Sequence, residues 1–230
     1  MRKSRGFTLI ELLVAITLMA VLAIMSWRGL DGMVRARTLT EARADAVLTL
    51  QIGLAQWAAD LDAMVKTPQL PELDWDGRVL RMTRRSTVDA TAGTLVVAWT
   101  RRLVDGKGQW LRWQSPPVTQ RNALLEAWQR ATIWAQNPGD TERRDEVAVL
   151  ALDEWQLFYF RSDAWTNPLS SSATQNGAPA SGIGTGTGVV VDTGTTPDGV
   201  RLVLTLPPGG ALAGKLTRDW VRPTVSGGKS

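Results

Sequence analysis

Glu11 is the single charged side chain between Phe7 and Trp27. The stretch after it, Leu12 to Trp27, runs 16 residues without a charge. With Phe7–Ile10 added, the apolar stretch reaches the roughly 20 residues that a helix needs to cross a bilayer core. A carboxylate left alone near mid-membrane costs on the order of 3 kcal/mol, so Glu11 needs a partner. The nearest available cation is an α-amine. A cut between Gly6 and Phe7 would create one, and four residues of helix put Glu11 only about 6 Å from Phe7 along the axis. In a stack of such helices the amine of one copy meets Glu11 of its neighbour. At low dielectric that attraction is strong enough to set the register between subunits.

Little else in the sequence can do chemistry. The 230 residues contain no Cys, which excludes disulfides, thiol nucleophiles and zinc–thiolate sites. They contain no His, the commonest general base and transition-metal ligand. Ser, Asp and Glu are present without such an activator, so no catalytic residue, metal ligand or cofactor is assigned and the chain is read as not an enzyme. Lys and Arg number 26 against 22 Asp and Glu, but Arg2, Lys3 and Arg5 supply three of the positives. The body after them is close to neutral and carries no field for phosphates, which argues against nucleic acid as a partner. Gly182–Gly188 superficially echoes a phosphate-cradling loop, but no strand precedes it and no helix follows, so it reads as linker. Asp192 and Asp198 lack the spaced set of oxygen ligands that calcium requires.

Eleven Trp against one Tyr is unusual. Core filling is the plain explanation. Sugar-stacking platforms on Trp99, Trp110, Trp113 or Trp165 are the sharper one, and would make the chain a membrane-tethered carbohydrate-binding module. Against a flat platform, Trp110 and Trp113 point to opposite faces of a strand.

The elements that must position Glu11 follow from periodicity. Residues 28–66 continue as helix, with Val47, Leu50, Leu54, Trp57, Leu61 and Met64 or Val65 at three- and four-residue spacing. Glu41, Arg43, Asp45, Gln51, Gln56, Asp60 and Asp62 are expected on the polar face. Thr67-Pro68 should end the helix. Gly29, Gly32 and Gly53 either soften it or, for the first two, offer a small-residue contact face. From there the period changes to two. Strands are predicted at Arg78–Met82, Thr94–Thr100, Gln109–Trp113, Val147–Leu152, Trp155–Arg161 and Val200–Leu206, with a hairpin turn at Asp105–Gly108. Asn122–Gln136 reads as helix, with Leu124, Leu125, Trp128, Ile133 and Trp134 as its apolar residues. Residues 166–199, rich in Gly, Ser and Thr, read as a long mobile loop. The fold class is α+β: a long N-terminal helix, transmembrane in its first half, packed on a mostly antiparallel sheet domain. The expected division is 1–6 basic leader, 7–27 transmembrane half, 28–66 amphipathic half and 67–230 β-rich domain.

An ordinary secretory signal also begins basic and apolar, but no A-x-A-type cleavage site closes this stretch and Glu11 would be unexplained. Arg5-Gly6-Phe7-Thr8-Leu9-Ile10-Glu11-Leu12-Leu13-Val14 instead resembles the type IV prepilin signal of pilins and type II secretion pseudopilins. The resemblance implies cleavage after Gly6 by a prepilin peptidase, N-methylation of Phe7, and a role for Glu11 in filament assembly. It further implies a single-pass protein of the bacterial inner membrane, with leader cytoplasmic and C-terminal domain periplasmic. Trp27-Arg28-Gly29-Leu30-Asp31, the segments Val147–Leu150 and Trp155–Arg161 with Trp165, the strand Asp198–Leu204 and Thr217–Trp220 resemble J-type minor pseudopilins (the GspJ/PulJ family). That implies a pilin-like fold and a tip complex with I- and K-type pseudopilins above the major pseudopilin, priming a pseudopilus that drives folded proteins outward. The Gly/Thr-rich insertion at Ser181–Thr196 departs from that layout. A minor pilin of a type IV pilus is the alternative; the lack of Cys tilts against it, since many pilins carry a C-terminal disulfide loop.

Overall fold

The computed structural model describes residues 7–86, 92–161, 163–169 and 196–223. The chain divides after Val47 into two compact units. Helix α1, Leu9–Asp62, begins in the first and ends in the second.

In the first unit α1 has an 18-residue window of mean hydropathy 2.5 with none of it buried, long and apolar enough to cross a membrane. Past the apolar stretch the exposed helix carries two pairs at i,i+4 spacing, Asp31–Arg35 at 2.9 Å and Arg37–Glu41 at 2.8 Å. Each such pair adds a few tenths of a kcal/mol, about 0.2–0.5, to an isolated helix.

The second unit is built from two antiparallel sheets. One is five-stranded, in the order β1 (Leu73–Trp75), β2 (Val79–Arg85), β3 (Thr94–Val104), β4 (Lys107–Gln114), β5 (Glu146–Ala151). The other has the order β7 (Ala164–Thr166), β6 (Glu154–Arg161), β8 (Gly199–Leu206), β9 (Gly214–Val221). The α+β class read from the sequence holds, and every strand predicted there is present. Three strands escaped prediction. β1 and β7 have three residues each, too short to show an alternation. β9 is exposed along most of its length, so neither of its faces reads as apolar. The hairpin between β3 and β4 turns on Asp105 and Gly106, with φ of 51° and 75°. Two successive positive φ values are what a two-residue loop of the Asp-Gly kind requires.

Alternation along the strands separates two cores. Leu95, Val97 and Trp99 of β3 point to one side; Val96 and Ala98 point to the other. On the second side α2 (Arg121–Gln136) lays Leu124, Ala127, Trp128, Ala131 and Trp134 against Val96, Leu111 and Trp113. Ile133, expected among its apolar residues, faces solvent, because positions 124, 127, 128, 131, 134 and 135 already make the buried stripe. On the first side Leu50, Leu54, Trp57 and Leu61 of α1 meet Trp99 and Trp110, and β6, β8 and β9 complete the same core through Leu157, Leu202 and Trp220.

α1 stops at Asp62, four residues before the expected end. The chain leaves the helix to pair with β2: Met64 forms a bridge to Arg84, the Val65 N–H donates to Thr83 O at 3.0 Å, and the Arg85 N–H donates to Ala63 O at 3.0 Å. These strand bonds satisfy backbone groups that a further helical turn would have used internally. Gly53 is a point of close approach rather than of softness. A Cβ there would lie 2.4 Å from Val149 Cγ1 and 3.4 Å from the Trp110 ring.

Candidate functional site

The first site is the start of α1. Thr8 and Glu11 stand three apart and cap the helix reciprocally. The Thr8 N–H donates to Glu11 Oε2 at 3.0 Å, the Thr8 hydroxyl donates to the same oxygen at 2.9 Å, and the Glu11 N–H donates to Thr8 Oγ1 at 3.4 Å. This is a capping box, in which each side chain satisfies a backbone donor that the first helical turn leaves without a partner. Glu11 is therefore not bare in the lone chain. Its carboxylate holds two donors from Thr8, which lowers the cost of placing it among apolar neighbours. Both Thr8 donors converge on one Glu11 oxygen, Oε2. Phe7, the residue whose amine the sequence reading pairs with Glu11, is 82% exposed at the same end. Gly6, Arg2, Lys3 and Arg5 lie outside the described residues.

The second constellation was missed in the sequence. Asp60, expected on the solvated face of α1, is fully buried. Its two oxygens take an ion pair from Arg84 of β2, a two-pronged pair from Arg112 of β4 at 2.7 and 2.9 Å, the indole N–H of Trp99 of β3 at 2.9 Å and the Gln56 amide at 2.9 Å. Arg112 also donates to Gln114 Oε1 at 2.8 Å, and its guanidinium lies 6.0 Å from the Trp99 ring centre. The physical reason for the error is positional. Asp60 follows Trp57 by three residues and precedes Leu61, inside the apolar stripe, and only its charge suggested otherwise. A signal was available: Arg84 and Arg112 share strand faces with Met82 and Trp110, so alternation points both inward. Two inward arginines call for a buried carboxylate. Asp62, by contrast, is exposed as expected and accepts the Trp220 indole N–H at 2.8 Å.

Most of the tryptophans fill cores. Trp57, Trp99, Trp110, Trp113, Trp128, Trp134 and Trp220 are buried, and Trp110 and Trp113 lie in opposite cores. Of the four residues considered for a sugar platform, Trp99, Trp110 and Trp113 are at most 1% exposed. Trp165 is half-buried, with Arg201 stacked over it at 4.2 Å and Phe160 at 5.2 Å. The platform reading fails on that burial. Gly182–Gly188 and Asp192 lie outside the described residues. Asp198 serves the backbone, its N–H donating to Phe160 O and its carbonyl accepting from Arg222. Among the described residues no group of three His, Cys, Asp or Glu could hold a metal.

One comparison with known proteins bears directly on the first site. Residues 1–27 match the prokaryotic N-terminal methylation motif, so the class of segment defined by Phe7, Glu11 and the apolar helix is a prepilin-type one. The chain is also 36% identical over 64 residues to type II secretion system protein J of Klebsiella pneumoniae. That match covers 28% of this chain and 32% of the relative, so the chain spans about a third of the length of the curated relative it matches. Together the two likenesses support a role of the pseudopilin or type IV pilin-like kind.

Proposed function

We propose that this chain is a minor pseudopilin of a type II secretion system. In this reading prepilin peptidase cuts after Gly6 and Phe7 is methylated on its new amine. α1 then anchors the protein once in the inner membrane, with residues beyond it periplasmic. In the assembled filament the Phe7 amine of one subunit pairs with Glu11 of its neighbour. The I- and K-type pseudopilins are its partners in a tip complex that starts assembly of the major pseudopilin and aids export of folded proteins. The work done is assembly, not turnover. The observation that carries the proposal is the methylation motif over residues 1–27, with Glu11 as the lone charge of an exposed apolar helix. The J-type match favours the secretion machine over a type IV pilus.

N-terminal sequencing and intact mass of the protein recovered from membranes test it. A chain beginning at Phe7 with one methyl on its amine is expected, and Gly6→Val should leave the leader attached. Any other mature terminus overturns the reading. Pull-down with the full chain from a mixture of I- and K-type pseudopilins and minor pilins separates the two machines: capture of minor pilins alone would assign it to a pilus.

A further inference from the structure

The Asp60 cluster does something that the apolar seam around it cannot. On α1 the seam repeats at Leu50, Leu54, Trp57 and Leu61, three or four residues apart. A slide of one helical turn, about 5.4 Å, puts an apolar residue where another apolar residue was. Dispersion and hydrophobic burial are non-directional and discriminate weakly between such seatings. Gly53 controls how closely the helix approaches β5 and Trp110, since a Cβ there has no room. It disfavours a residue with a Cβ at that spot, through contact with side chains alone, and the Asp60 cluster adds direction to that fit.

Asp60 supplies a directional contact. Three strands of the five-stranded sheet reach the one carboxylate: β2 through Arg84, β3 through Trp99 and β4 through Arg112. Asp60 is fully buried, and the Arg84 and Arg112 side chains are 6% and 12% exposed. Charges this deep are poor stabilisers, because their desolvation offsets most of their attraction; apolar residues of the same volume often serve as well or better. What they do well is reject alternatives. A slide of one turn strands a buried carboxylate and two buried guanidiniums together.

We propose that the Asp60 cluster is a register lock, fixing where along its axis and at what rotation the last turns of α1 seat on the five-stranded sheet. The helix end and the five-stranded sheet thereby move as one body. This inference stands on residues 50–112 alone and does not depend on the assembly reading.

The test separates a lock from a simple stabiliser. The chain has no cysteine, so Ala55→Cys and Lys107→Cys, both at exposed positions, carry the only nitroxide labels on the full-length protein in detergent. Pulsed electron resonance reads the distance between α1 and the β3–β4 turn. With the native cluster a single narrow distance is expected. In D60L/R84M/R112M, which replaces all three charges by apolar side chains, a melting temperature at or above the parent is expected together with a second distance displaced by about one helical turn, ~5 Å. One unchanged distance in that variant overturns the proposal. If the triple variant fails to fold, R112M is read instead, since it keeps Asp60 paired with Arg84. A second population there supports the lock, and the parent distance alone refutes it.

Discussion

At the scale of single residues, the energetic weight lies in the second unit. Asp60→Ala removes the carboxylate to which Arg84 and Arg112 both donate. Removing one partner of a buried pair costs about 3–5 kcal/mol, which is a large fraction of the roughly 5–15 kcal/mol that holds a domain together. Urea unfolding of the variant should show that loss. Tyr159 gives the opposite expectation. It is 4% exposed, and among the described residues its hydroxyl has no hydrogen-bond partner. Burial pushes its phenol well above the ordinary range, with the Asp74 charge adding to it, so it stays neutral at any working pH. A buried hydroxyl without a partner contributes its desolvation cost and little else. Tyr159→Phe should therefore leave the unfolding midpoint unchanged or raise it slightly. Asp219 supplies a pH-dependent contribution. Its carboxylate is held below the usual range chiefly by the hydrogen bonds of Arg201, its cross-strand partner, at 2.7 Å for each prong. Because the folded value is the lower one, the contribution is fully present above the unfolded value, about 3.9. It fades as pH falls through the folded value. The pair is a third or more exposed, so the effect is small and screened by salt. When Asp219→Asn is compared with the parent across about pH 2–6, the range of carboxylate titration, the two melting curves should converge at the acid end.

At the scale of elements, α1 shows where a pattern can be read and where it cannot. Its apolar period was legible from Val47 to Leu61 because large side chains recur on one face. Its end was not, since Thr67-Pro68 is a strong stop signal and the bridge from Met64 to Arg84 depends on a strand far along the chain. β3, an unbroken apolar run, and β8, which alternates, were visible; β1, β7 and the exposed β9 were not, because pairing partners rather than local pattern make them strands. The same reasoning explains Asp60: polarity was read as exposure, although its position in the stripe and the inward arginines of β2 and β4 said otherwise. Gly53 belongs to this scale as well. Glycine inside a helix ordinarily costs about 1 kcal/mol relative to alanine. Here an added methyl would press on Val149 and Trp110, and overpacking of that kind costs about 1–3 kcal/mol. Gly53→Ala should thus lower the melting temperature despite its better helix propensity. At Gly29 and Gly32 an added Cβ meets nothing within 4 Å, so the same change there carries no such penalty.

At the scale of the whole molecule, the second unit is not a β-domain to which a helix happens to be attached. The last turns of α1 supply one wall of its larger core. Trp57 and Leu61 are at most 1% exposed, and Trp99, Trp110 and Leu80 pack in the same cluster. Truncating a buried Trp costs about 3–5 kcal/mol and a buried Leu about 2–5. Losing both, with Leu50, Leu54 and the Asp60 carboxylate, exceeds the stability of an ordinary domain. Where the chain is cut therefore decides whether a soluble domain results. A fragment beginning at Thr38 retains every buried residue of α1 and sheds the apolar stretch that ends at Trp27. It should unfold in one cooperative transition, with α2 still laid on the opposite face of the five-stranded sheet. A fragment beginning at Thr67 keeps α2 and every strand among the described residues, yet strips the α1 side chains from Arg112 and the Trp99–Trp110 pair. It should show no cooperative melting by calorimetry and should bind a hydrophobic dye. Cooperative unfolding of the shorter fragment would mean that the sheets close their core without α1, and that the helix end is a passenger on the domain rather than part of it.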